Sequence, residues 1–398
     1  MHVPDHFLND PTSIATAVVA SAGVVTAALA TRRTAPWPRF GSLARTDPAP
    51  RSRASALIGA GGLGVVRPGP VALAATTALV FGLQMVNYPV AAGTSGHLLG
   101  GALAAALLGP AWGVLSLTAV LTVQAVLFAD GGLTALGTNV LLMALLGTAI
   151  GWLIQSGLVR RLTRPPNRAD LAHNGTHPLP HDAAPNLSRT GATPRRHATN
   201  PLLPDAAPTH SRWGFAVGAA GVGGFASVVV AAAAFAVLFG IGGNAEVGFG
   251  ALAGHMIGVH CLVGLGEGLI TALVVAVVAA VAPGWCAIDP REAPVGEYRT
   301  LQWRASGLVG GLAVVSAAVL APFASAAPDG LEATAEAVGF AGAARDHALA
   351  GFPLADYGEA TGMSVQVVGL IGLAVCVGVA LALGKVLQLR RHLAPSPA

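Results

Sequence analysis

The chain has 398 residues, 54% of them hydrophobic and 10% charged, with 22 Lys and Arg against 18 Asp and Glu. A soluble domain carries roughly 25% charged residues, so the composition excludes an ordinary soluble protein and predicts an all-α polytopic membrane protein. The formal charge of +4 is modest and confined to particular segments, which reads as a topology signal and not as a nucleic-acid surface.

In chain order, MHVPDHFLNDP carries Asp5 and Asp10 where a signal peptide would carry basic residues. The apolar run Ile14–Ala30 is followed by Arg32 and Arg33, which predicts an N-terminus outside and a first span entering the cytoplasm. A helix needs roughly 20 apolar residues to cross the hydrocarbon core. On that rule, spans fall near Pro11–Thr31, Gly69–Asn87, Gly96–Leu108, Ala111–Ala129, Leu133–Val159, Trp213–Ile241, Ala251–Ala282, Ser306–Ala326 and Ser364–Leu389. The third is short and is expected to be buried among the others, behind a broken, Gly-rich stretch at Gly93–Gly96. Ala54–Val66 is too short and too rich in glycine to span and reads as an interfacial element. Cys261, Cys286 and Cys376 form no CxxC pair and no disulfide framework.

Charge bias supports this order. Arginines gather in the segments Arg32–Arg67, Arg160–Arg212, Trp285–Arg304 and Lys385–Ala398, whereas Tyr88–Ser95, Asp130–Gly132, Gly242–Gly250 and Ala327–Met363 together hold eight acids with only Arg345 basic. The C-terminus is therefore expected in the cytoplasm. The division that follows is 1–159 for the first part of a membrane core, 160–212 for a disordered cytoplasmic linker, 213–284 for the second part of the core, and 285–398 for a companion domain with two transmembrane helices. Within the linker, His173, His177, His181, His197 and His210 are irregularly spaced, and solvation explains them better than metal storage.

Two places carry chemistry. His97 stands in NYPVAAGTSGHLLGG, where an imidazole at the mouth of a membrane helix is costly without a partner. The second place is the start of the chain. An α-amine, the amide of residue 2 and the Nδ1 of a histidine at residue 2 close one five-membered and one six-membered chelate ring, leaving a single in-plane position. Nickel(II) and copper(II) favour such planar nitrogen sets, and cobalt(II) is compatible with them. Met1 and His2 offer those three donors, and His97 offers a fourth. On this basis alone, His2 is equally an incidental residue and His97 a helix-end histidine bonded to a carbonyl. His6 is a competing ligand nearby, with Pro4 hindering the chain from wrapping further. Thr94 and Ser95 flank the loop and could orient it. Asn87, Gln84 and Asn139 are expected to brace it by hydrogen bonding. His260 and Glu267, seven residues apart, share one face of their helix.

The blocks MHVPDHFL, FGLQMVNYPVAAGTSGHLLGGALAAALLGP, FADGGLTALGTNVLLMALLG and GVHCLVGLGEGLITALVVA resemble the CbiM/NikM family, the substrate-binding membrane component of cobalt/nickel energy-coupling-factor transporters. The tail, with Pro328–Asp329–Gly330–Leu331–Glu332 and Pro353–Leu354–Ala355–Asp356–Tyr357, resembles the family's small companion subunit of the PDGLE type, fused in cis. The resemblance implies about seven helices in the core and metal held by the amine of Met1, the amide and imidazole of His2, and His97. It also implies transport of nickel(II) or cobalt(II) without an organic cofactor, in the plasma membrane of a bacterium. A transmembrane coupling (T) subunit and ATP-binding cassette ATPases would be its partners. No GxxxxGK[ST] occurs, so the chain itself is not expected to be an enzyme. The family's opening has glycine where this chain has His6. The acidic stretch Ala327–Met363 is expected to act on metal delivery and not on binding. The alternative is an intramembrane serine hydrolase using Ser95 of the GTSG tetrapeptide with His255 or His260 as base, which leaves Met1 and His2 without a role.

Overall fold

The computed structural model describes residues 1–33, 69–91, 93–163, 209–291 and 297–392. The interfacial element expected at Ala54–Val66 and the histidine-bearing stretch 164–208 lie outside the described residues.

Among the described residues, seven helices are long and apolar enough to cross a membrane. They are α1 (Asp10–Arg33), α4 (Pro110–Phe128), α5 (Leu136–Leu162), α6 (Thr209–Gly242), α7 (Phe249–Val281), α8 (Tyr298–Val315, prolonged by a π-turn to Leu320) and α10 (Val365–His392). Two further apolar helices are shorter, α2 (Pro70–Gln84) and α3 (Gly101–Leu108), and α9 (Gly330–Val338) is a short connecting helix. A two-stranded hairpin joins α2 to α3, with β1 (Tyr88–Ala91) antiparallel to β2 (Thr94–Gly96). The chain is therefore an all-α polytopic membrane protein, with the second and third predicted spans shorter than a full crossing. Helix α5 runs on through Arg160 and Arg161, beyond the predicted boundary at 159, because basic side chains suit the negative end of the helix dipole.

The third predicted span begins at Gly101 and not at Gly96. The reason lies in the residues before it. Gly100 sits at φ +84, a left-handed conformation that costs glycine nothing, and the amides of Leu99 and Gly100 are taken by a side chain of α7 instead of by a helical turn. Every residue of α3 is buried, enclosed by α4, α5, α6 and α7. Small residues permit that enclosure. A Cβ on Gly101 would stand 2.7 Å from the Thr148 nitrogen and 2.8 Å from the Met143 oxygen, both backbone atoms of α5.

Lipid and core faces separate cleanly on α7. Leu262, Leu265, Leu269 and Leu273 are exposed, while Met256, His260, Val263, Glu267 and Thr271 are buried on the opposite side. That is the amphipathic helical period with the polarity of its buried face raised. The helices α8 and α10 pack against α2, so the C-terminal helices cover the short α2 and form one body with the core.

Candidate metal centre

The N-terminal segment does not project from the fold. Asn139 binds both main-chain groups of Val3, its Oδ1 accepting the amide at 2.8 Å and its Nδ2 donating to the carbonyl at 3.1 Å. Gly132 donates to the same Val3 carbonyl at 2.9 Å, and Asp5 accepts the Thr134 amide at 2.7 Å. Further along, Asn9 and Asn244 exchange backbone bonds with Gly242 and Phe7. These contacts thread residues 1–9 across the ends of α1, α5 and α6, and leave Met1 buried.

There the α-ammonium of Met1 donates to Nε2 of His97. His97 Nδ1 donates to the Leu98 carbonyl at 3.0 Å, so the lone pair is on Nε2, facing Met1. The His2 ring stacks on the His97 ring, with centroids 4.9 Å apart and planes 8° from parallel. Met1, His2 and His97 are thus brought together. Nδ1 of His2 lies 2.8 Å from Asp130, and its Nε2 is buried with no hydrogen-bond partner. As they stand, no three His, Cys, Asp or Glu side chains among the described residues are placed to hold a metal ion, so a metal here would draw on main-chain nitrogen as well as imidazole.

The loop carrying His97 is fixed from three sides. Glu267 Oε2 accepts the Leu99 amide at 2.6 Å and Oε1 the Gly100 amide at 3.0 Å. Gln84 donates to the Leu99 carbonyl at 2.8 Å, and the Tyr88 hydroxyl donates to the Val263 carbonyl at 3.0 Å. The Ser95 amide donates to the Pro328 carbonyl at 2.9 Å and its hydroxyl to the Ala327 carbonyl at 2.7 Å. Thr94 opens β2 and pairs with Ala91, and the Asn87 carbonyl accepts from Ser325. These residues support the hairpin and its docking.

His6 is placed differently. It adopts φ +66, gives its carbonyl to Asn244, and lines an outward cavity with Asn9, Asp10, Asn244 and Arg345. No hydrogen bond or ring contact joins it to His2 or His97. The hydrolase arrangement is not formed either. The Ser95 hydroxyl is spent on Ala327, His255 pairs with Thr334 at 3.0 Å, and His260 with the Met256 carbonyl at 2.8 Å.

Sequence reasoning missed the acidic partners. Asp329 Oδ2 is 2.9 Å from the Met1 nitrogen and 3.4 Å from His97 Nε2. The Tyr357 hydroxyl donates to Asp130 at 2.6 Å, so the C-terminal segment also reaches the carboxylate beside His2. The stretch 327–363, expected to act on delivery, thus places Asp329 beside Met1 and His97 and Tyr357 beside Asp130. The signal available was Asp329 with Glu332 three residues later, a capping box that announces a helix start but does not tell where the helix docks.

Electrostatics follow from these contacts. Burial pushes the Asp329 carboxyl upward, yet the Met1 ammonium and His97 outweigh it and hold the group well below the usual range. Burial likewise opposes ionisation of Asp130, and His2 with the Tyr357 hydroxyl reverses that. For His97, burial and then the Met1 ammonium push the imidazole below its ordinary range, against the upward pull of Asp329. Its neutral form, the one that can ligate, is favoured.

The family model described as the cobalt uptake substrate-specific transmembrane region, CbiM, matches residues 56–174 and 202–285, about half of the chain, and the PDGLE domain model matches residues 303–389. The matched residues include His97, Glu267, Asp329 and Tyr357 and begin after Met1 and His2. A protein of Archaeoglobus fulgidus bearing the name of a fused nickel transport protein, NikMN, is 48% identical over 83 residues, 21% of this chain and 28% of that one. The fused nickel transport protein NikMN of Rhodobacter capsulatus is 41% identical over 78 residues, 20% of this chain and 22% of that one. The chain thus spans under a third of the length of these relatives. A crystal structure of a transition metal transporter is 22% identical, covers 71% of this chain and 94% of that one, and superposes with a TM-score of 0.44.

Proposed function

Because this chain belongs to the CbiM family and carries a PDGLE domain behind the family's core, we propose that it is the substrate-capture component of a transporter for uptake of nickel(II) or cobalt(II). The observation that carries the reading is the meeting of Met1, His2 and His97 in one buried pocket. The α-amine, the His2 amide, Nδ1 of His2 and Nε2 of His97 make a planar nitrogen set for the ion, which is the transported substrate. With Nδ1 now beside Asp130, chelation turns the His2 ring about Cβ–Cγ and releases that carboxylate. Thr94, Ser95 and Asn87 act through the hairpin that carries His97, and His6 takes no part in ligation.

The proposed setting is a bacterial plasma membrane, with the N-terminus and residues 327–363 outside and the C-terminus in the cytoplasm, as the distribution of arginines and acids supports. Core segments 1–159 and 213–284 bind the ion, residues 160–212 link them, and 285–398 form the companion domain. The chain lacks a P-loop sequence, so transport energy is assigned to ATP-binding cassette ATPases acting through a T subunit.

The test is metal analysis of the purified full chain, its Met1 terminus verified by mass, against His97→Ala. Retention of nickel or cobalt by the parent and loss from the variant is expected. Equal retention in both would refute the assignment. Covalent capture of a labelled fluorophosphonate at Ser95 would instead favour the hydrolase reading.

A further inference from the structure

The nitrogen groups are not the only ones in the pocket that can ligate a metal. Met1 N, His97 Nε2 and Asp329 Oδ2 form one small triangle, with the two nitrogens hydrogen-bonded to each other and the oxygen 2.9 Å and 3.4 Å from them. Donors at right angles around a first-row divalent ion, each at roughly 2.0–2.1 Å, stand about 2.9 Å apart. The separation of Met1 N and Asp329 Oδ2 is that of two neighbouring donors in one coordination shell, and His97 Nε2 lies close to both.

The aim of Asp329 is built into its helix. Its Oδ1 accepts the amides of Leu331 at 2.7 Å and Glu332 at 2.9 Å, and its own amide donates to Glu332 Oε2 at 2.9 Å. One carboxylate oxygen caps α9, and the other is left to face the pocket. The two residues before it, Ala327 and Pro328, are held by Ser95. Ser95 stands two positions before His97 on the same hairpin, so one backbone unit carries the imidazole and anchors the carboxylate. A divalent ion in a buried site also needs counter-charge, and Asp329 is only 13% exposed.

We propose that Asp329 is a metal ligand, an oxygen donor that the C-terminal domain brings to one face of the Met1–His2–His97 nitrogen plane. The proposal rests on the nitrogen-donor reading of the same site. It makes the bound ion a contact between the two parts of the chain. It also makes Asp329 a determinant of selectivity. An oxygen off the plane gives a five-coordinate shell that suits cobalt(II) and high-spin nickel(II), whereas four planar nitrogens alone suit copper(II) and low-spin nickel(II).

The experiment loads the purified full chain with cobalt(II) alone. It records the visible d–d spectrum, the X-ray absorption fine structure, and the affinity by chelator competition. Asp329→Asn and Asp329→Ser are compared with the parent. Both replacements keep a side chain that caps a helix, and serine is too short to reach the pocket. The expected result is a five-coordinate N/O spectrum in the parent. Both variants are expected to show altered bands and an affinity lower by about 10- to 100-fold, taking as a lower guide the loss on mutating groups around a metal. A four-coordinate planar spectrum in the parent would overturn the proposal without reference to any variant. Parent-like spectrum and affinity in both variants, with metal lost from His97→Ala, would overturn it while leaving the nitrogen-donor reading intact. Full retention in His97→Ala would overturn both.

Discussion

Glu267, in the middle of α7, accepts the amide of Leu99 at 2.6 Å, and this single bond, with its twin to Gly100, decides where α3 begins and where His97 points. Both oxygens of this buried carboxyl group accept an amide that no helical turn satisfies. In Glu267→Gln one oxygen becomes an amide donor facing another donor, which leaves a buried N–H unmatched at a cost of about 1–3 kcal/mol. Lower thermal stability in detergent and at least about tenfold weaker metal retention are expected, the latter because the support of a ligand is lost. Parent-like retention would show that the loop holds its shape without this clamp.

Inserting one alanine between Met1 and His2 keeps every side chain but moves the histidine to position three. The amine, two amides and imidazole can then fill a plane by themselves, and His97 is displaced. Nickel affinity should fall and copper preference rise. Competition titrations with the two metals give the answer, and an unchanged nickel spectrum would rule out the N-terminal chelate.

Acid should release the metal. Chelation displaces protons from the α-amine and the His2 amide, so binding is favoured as pH rises and lost as it falls. His97, held below its ordinary range first by burial and then by the Met1 ammonium, stays neutral further into acid than a free imidazole. Proton release into a weakly buffered solution on adding nickel measures this directly. Binding without any release would contradict it.

Asn139→Ala should loosen the N-terminal segment. It removes the acceptor and the donor that hold Val3 and orphans the Val3 amide, worth about 1–3 kcal/mol when unsatisfied, while the Val3 carbonyl keeps its bond from Gly132. Faster limited proteolysis near residue 3 and weaker nickel binding are the expected readouts, with helix content unchanged by circular dichroism.

Gly101→Val should destabilise the core without touching the pocket. The new side chain meets backbone atoms of α5 at 2.7 and 2.8 Å, which cannot rotate away as a side chain can. Overpacking of this kind costs about 1–3 kcal/mol or more. A lowered unfolding temperature or loss of expression is the outcome to look for. A parent-like melting curve would show that α3 and α5 separate easily.

The residues that the fold brings together at Met1, His2 and His97 were legible as candidates in the order of residues because chelate chemistry is local. A histidine at position two follows from the chemistry of five- and six-membered chelate rings, and His97 stands out as an imidazole beside a membrane helix. Gln84 braces the His97 loop as expected, whereas Asn139, expected to do the same, holds the N-terminal segment at Val3 instead. Glu267 and His260 were correctly set on one face by their spacing of seven, and both are buried. The clamp that Glu267 makes was not readable, since nothing in α7 names the loop it meets.

By itself the sequence determined the all-α membrane class, the run of apolar helices and the residues able to ligate, because hydropathy, helical period and chelate-ring size are properties of neighbouring residues. Tertiary structure alone decided which residues from distant segments join them. Asp329 and Tyr357 sit in an acidic stretch that charge bias places outside the membrane with no indication of what it meets, yet α9 is capped and docked so that one carboxylate oxygen faces Met1 and His97 and one tyrosine hydroxyl meets Asp130. The start of α3 was decided in the same way, by a carboxylate from α7 competing for amides that a helix would otherwise have used. Such contacts depend on how helices stack, and stacking is settled by shape and charge across the fold, which no local pattern encodes.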